Sequence, residues 1–139
     1  MNQFDHERLD VYQTAIEFVA LADEVVERLP RGRAYLADQL QRAATSIPLN
    51  IAEGAGEFAP KEKGRFYRMA KRSATESAAV LDVCRRLKLI ENSQFVTGRA
   101  LLLRLVAMLT QMARRAGESG TGSGTGSGTT RPVVPKTVG

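Results

Sequence analysis

Apolar positions recur at steps of three and four along four stretches of the chain, and each stretch ends in a turn signal, so the period predicts four helices. The most sharply patterned runs from Leu36 to Gly56. There Leu36, Leu40, Ala43 or Ala44, Ile47 and Ile51 share one face, and a polar stripe of Arg42, Ser46, Asn50 and Glu53 follows the same period beside it. Two seams on one helix require neighbours on more than one side. Pro48 lies inside the pattern, where it cannot donate to the Ala44 carbonyl and its ring crowds the preceding turn, so a continuous but kinked helix is expected.

The first helix is expected from Asp5, a cap for the free N–H groups of its first turn, to the break at Pro30-Arg31-Gly32. Its inner stripe reads as Leu9, Tyr12, Ile16, Val19, Val26 and Leu29. The third is expected from about Lys61 to Leu89, with Phe66, Ala70, Ser73, Ser77, Leu81, Cys84 and Leu87 inward. A short turn at Glu57 to Pro60 makes the second and third helices antiparallel neighbours, with facing residue numbers that sum to about 117 or 118. That register sets Ile51 against Phe66, Ile47 against Ala70, Leu40 against Ser77 and Leu36 against Leu81. It also sets Glu53 against Arg65, Asn50 against Arg68, Ser46 against Arg72 and Arg42 against Glu76. Every polar pairing is complementary. Arg42, Ser46, Pro48, Asn50, Glu53, Arg65, Arg72 and Glu76 therefore read as a structural seam that fixes register, although exposed ion pairs contribute only about 0–1 kcal/mol each.

A fourth helix follows Glu91-Asn92-Ser93, with Ser93 as its expected cap and Leu101 or Leu102, Leu105, Met108 or Leu109 and Met112 as its buried stripe. Ala100 to Met112 is apolar nearly all round, which suggests burial on two sides, in the bundle and against another subunit. Long helices with short turns predict an all-α fold, an up-down-up-down antiparallel four-helix bundle over residues 1–116. Residues 117–130 are Gly, Ser and Thr with a single Glu, a flexible linker with a reach of roughly 20 Å. Residues 131–139 form a short terminal peptide. It reads either as a disordered tail or as a tethered docking peptide presenting Pro132, Val133, Val134, Pro135 and Val138.

Composition supports the helical class: 43% of residues are hydrophobic, 6% are aromatic and Trp is absent. The single cysteine, Cys84, excludes an intramolecular disulfide. The start lacks the basic-then-apolar layout of a signal peptide, and Arg104 breaks the longest apolar run, so a cytoplasmic protein with no membrane partner is expected. Charge is segregated. Residues 1–30 hold two basic and seven acidic groups, whereas residues 61–90 hold nine basic and three acidic groups. Such a division suits a polyanion, or the acidic surface of another copy of the same chain.

Little in the sequence carries reaction chemistry. The one histidine, His6, leaves a di-iron bundle without its Glu-x-x-His pairs, and it reads as a solvent-facing first-turn residue. No histidine follows any arginine, so an Arg-x4-6-His ribonuclease motif is absent. Cys84 has no histidine to serve as its base and reads as a small core residue. Asn50 and Glu53 are the most site-like polar pair, and beside arginines they read as structure rather than catalysis. No enzyme activity, metal site or cofactor is expected. The better lead is a basic surface of Lys61, Lys63, Arg68 and Lys71, with Arg85 and Lys88 at the end of the same helix and Arg114 and Arg115 at the end of the fourth. It would bind RNA or DNA backbones without reading sequence, with Tyr67 as the one nearby stacking candidate. The alternative is an oligomeric scaffold that recruits a protein partner through residues 131–139.

Leu9-Asp10-Val11-Tyr12-Gln13, Leu36 to Ala44, Ser46-Ile47-Pro48-Leu49-Asn50-Ile51-Ala52-Glu53-Gly54, and Arg65 to Ala70 with Ser73-Ala74-Thr75-Glu76 resemble the four-helix bundle proteins encoded in intervening sequences of bacterial 23S ribosomal RNA genes. The resemblance covers roughly residues 4–116. Relatives include the accessory variability determinant proteins of diversity-generating retroelements. The resemblance implies a four-helix bundle that assembles as a homo-pentamer with a basic surface, and the retroelement relatives bind nucleic acid and a reverse transcriptase. The Gly/Ser/Thr tail departs from the common pattern.

Overall fold

The computed structural model describes residues 3–121 of the chain. They are all-helical: α1 (Asp10–Arg28), α2 (Ala34–Ala55), α3 (Pro60–Arg86) and α4 (Asn92–Thr121), with short 3-10 turns at Asp5–Arg8 and Arg31–Arg33 and no strand among the described residues. α4 continues to Thr121, past the expected boundary at residue 116, and the rest of the linker and the whole terminal peptide lie outside the described residues.

Each helix touches two others: α1 packs on α2 and α4, and α3 packs more extensively on α2 and α4, while the backbones of the pairs α1/α3 and α2/α4 stay apart. Contacts climb one helix as they descend its neighbour. Arg28 reaches Glu91 and Arg104 reaches Thr14 between α1 and α4, while Ser46 meets Ser73 and Gln39 meets Glu76 between α2 and α3. These contacts are consistent with antiparallel neighbours.

The interior is built from Val11, Ala15, Phe18, Ala22 and Val25 of α1; Leu36, Leu40, Ala44, Ile47 and Ile51 of α2; Ala70, Ala74, Leu81 and Cys84 of α3; and Leu102, Leu105 and Leu109 of α4. The stripe expected on α1 is therefore displaced by one residue. Leu9, Tyr12, Val19, Val26 and Leu29 pack on the flanks of the core, and Ile16 is 42% exposed. Small residues share the inward face, with Ala15 and Ala22 buried beside Phe18 and Val25.

Helix ends also depart from expectation. Asp5 opens a separate 3-10 turn, in which Glu7 reaches back to the Phe4 N–H at 3.0 Å, and extended Leu9 precedes α1. His6 is held between the Phe4 and Tyr12 rings, at 5.8 and 4.6 Å, rather than standing free in solvent. α2 runs through buried Pro48 without interruption. α3 stops at Arg86, and Lys88 enters the left-handed region (φ 62) so that its N–H and that of Leu89 close on the Arg85 and Cys84 carbonyls at 3.0 and 2.8 Å. α4 begins at Asn92, one residue before the expected cap Ser93.

Among the described residues, the buried polar side chains Ser77 and Thr14 are both hydrogen-bonded. Buried Ser77 donates to the Ser73 carbonyl at 2.9 Å, and buried Thr14 donates to the Asp10 carbonyl at 2.9 Å while accepting from Arg104 at 3.2 Å. Arg104, which breaks the apolar run in sequence, thus ties α4 to α1.

Candidate nucleic-acid interface

The spacing of Lys61, Arg65, Arg68 and Arg72 follows the helix period, so the regular geometry of α3 places these exposed residues in one stripe about 16 Å long. Arg68 and Arg72, with Lys71, Thr75 and Glu76, line a shallow groove on this face. Close approach of α3 and α4 at the same end adds two more cations. A Cβ on Gly64 would lie 3.5 Å from the Ala116 side chain and 3.7 Å from the Ala113 carbonyl, which sets exposed Arg114 and Arg115 beside the start of α3.

The basic residues singled out in sequence do not form one patch. Lys61, Lys63, Arg68, Lys71, Arg114 and Arg115 gather toward one end. Arg85 and Lys88 lie near the other, since Lys61 and Arg85 are about 36 Å apart along the helix axis. Arg85 also stacks its guanidinium over the Phe95 ring at 4.4 Å. Lys63 has a structural duty as well: its Nζ donates to the Gly54 and Ala55 carbonyls at 2.7 and 3.2 Å, closing the C-terminus of α2.

The seam between α2 and α3 exists with partners other than those expected. Arg65 turns to Glu62 on its own helix, at 2.9 and 3.0 Å, rather than to Glu53. The Asn50 amide donates to the Ser46 carbonyl and hydroxyl, both at 2.9 Å, rather than meeting Arg68. Ser46 shares a 2.8 Å hydrogen bond with Ser73 rather than Arg72, and Glu76 accepts from Gln39 at 3.3 Å rather than from Arg42. The expected register is close, but each helix is rotated enough for short hydroxyl and amide groups to meet while the longer arginines stay in water. Arg42 and Glu53 are exposed, in grooves facing α1 and the first 3-10 turn.

Electrostatic perturbations are few. The Arg65 hydrogen bond lowers the Glu62 pKa, and Glu62 raises that of Arg65, first through the same hydrogen bond. Burial raises the Tyr67 phenol and the Cys84 thiol above their ordinary values. Tyr67 is 5% exposed, packed against Gly54, and cannot serve as a stacking platform. The available ring is Phe58, 95% exposed on the α2–α3 turn beside Lys63 and Arg115. Its signal was in the sequence, an aromatic residue inside the turn Glu57-Phe58-Ala59-Pro60 between Gly56 and Lys61.

Fold and surface together define an all-helical protein of four α-helices whose polar features, among the described residues, are structural hydrogen bonds and exposed charge; no group of three or more His, Cys, Asp or Glu there could hold a metal ion. The segment Asn92–Gly117 of α4 is long and apolar enough to cross a membrane by length and composition, yet 33% of its most apolar window is buried in the bundle, where Phe95, Leu102, Leu105 and Leu109 form core. The family model described as 23S rRNA-intervening sequence protein matches residues 7–111, and the chain belongs to that family. No curated protein matches the chain.

Proposed function

We propose that this is a non-enzymatic, cytoplasmic accessory protein, a homo-oligomer of up-down-up-down antiparallel four-helix bundles that holds nucleic-acid backbones by charge with little sequence discrimination. The observation that carries the reading is the set of exposed cations Lys61, Arg68, Arg72, Arg114 and Arg115, which have no carboxylate within ion-pair distance among the described residues. The resemblance to nucleic-acid-binding retroelement accessory proteins points the same way. Self-association is supported by the side of α4 opposite its core stripe, where Val96, Ala100, Leu103 and Ala107 lie exposed at helical spacing. Five copies, the number implied by the resemblance, are the proposed assembly.

Binding of labelled RNA and DNA duplexes across a salt series tests the reading. Each phosphate neutralised steepens the fall of log affinity with log salt by about 0.9, so replacing Lys61, Arg68 and Arg72 by glutamine should flatten the slope by roughly 2–3. Absence of binding at low salt would sink the proposal. One observation favours a rival: the acidic α1 and basic α3 do not pack on each other within a chain, so α3 of one copy is free to meet α1 of the next. In that case the same glutamine variant loses oligomer mass in light scattering and has no duplex affinity to lose.

A further inference from the structure

At the end of the bundle, a recess of about 360 Å³ opens between the α2–α3 turn and the last turns of α4. Its volume falls within the range of small-ligand sites, about 300–1,000 Å³. Phe58 stands at its edge, Pro60, Met112 and Ala116 give it apolar walls, and Lys63 and Arg115 give it cations. Of the carboxylates beside the turn, Glu62 is paired with Arg65, and Glu57 accepts from the Phe58 N–H at 3.2 Å while keeping its charge. Lys63 is fixed by the two α2 carbonyls it caps, so its charge is held at the recess.

We propose that this recess takes an unpaired base of single-stranded nucleic acid, stacked on Phe58, with the neighbouring phosphates on Arg115 and Lys63. The inference rests on the nucleic-acid reading above and adds the substrate class. A flat ring presented alone on a turn suits a flat partner, and the surrounding cations require an anionic one. A single strand offers both, because every base has a π-face. In a duplex the bases are stacked on one another and cannot reach the ring.

The test compares a fluorescein-labelled uridine single strand of about 12 nucleotides, within reach of such sites, with a duplex of equal length. Phe58→Ala should weaken single-strand binding about tenfold and leave duplex affinity and the thermal melt unchanged, since the ring is in water. Phe58→Trp should restore affinity, and because the chain has no other Trp, its fluorescence should be quenched by the single strand and not by the duplex. If the alanine variant binds the single strand as well as the parent, or the tryptophan signal is unmoved by a strand that binds, this inference falls while the charge-based reading stands. If the parent protein binds neither probe at low salt, both fall.

Discussion

Phe66 and Tyr67 are adjacent, and only one can face α2 fully. Tyr67 takes that place because Gly54 opposite has no side chain; a Cβ there would stand 2.6 Å from the ring carbon Cε1 and 3.2 Å from the Phe66 Cβ. Alanine would raise helix propensity by roughly 1 kcal/mol, but forcing a buried ring aside costs about 1–3 kcal/mol. Gly54→Ala should therefore destabilise by up to about 2 kcal/mol in urea unfolding, and a raised midpoint would refute the close packing. Buried Cys84 and Tyr67 also give stability a pH dependence. Both have raised pKa values in the folded chain, so the unfolded chain releases these protons first. Stability is kept below about pH 8.5, the ordinary thiol pKa, and should fall as pH rises through and above it. Cys84→Ala should lessen that fall in melts from neutral to alkaline pH.

At the scale of elements, helix existence was legible and helix rotation was not. All four helices follow the three-four period, but the inward face of α1 was read from its largest side chains, and a shift of one residue turns the face by about 100°. In α3 the same preference put Phe66 and Leu87 inward, although Phe66 is half-buried and Leu87 is 39% exposed. The end of α3 carries a further consequence. Lys88 occupies a left-handed position that costs a non-glycine residue about 1–2 kcal/mol, whereas glycine carries an entropy cost of about 0.5–1 kcal/mol. Lys88→Gly should stabilise the fold by about 0.5–1 kcal/mol in chemical unfolding. A loss of stability would mean that the lysine side chain contributes more than its backbone costs.

At the scale of the molecule, helix packing keeps the acidic α1 apart from the basic stripe of α3, and the length of α3 divides the basic residues between two ends. Of the eight singled out in sequence, Arg68 and Lys71 share one groove and Lys63 and Arg115 another, while Arg85 and Lys88 lie far along α3 from both. The exposed stripe of α4, with Val96 at 55% and Leu103 at 58%, is the surface expected to be covered by another copy. Leu103→Glu should lower the mass measured by light scattering toward that of one chain, with helical content retained by circular dichroism. An unchanged mass would place the contact elsewhere.

By itself the sequence determined the helical class, the number of helices, their order and the segregation of charge, because periodicity, turn signals and composition are local properties that short windows hold in full. Only the tertiary structure decided which of two neighbouring side chains turns inward, which polar groups meet across α2 and α3, and which cations stand together. Those outcomes depend on how closely whole helices can approach, and that distance is set by small residues such as Gly54 and Gly64, whose effect appears only when the opposite helix is in place.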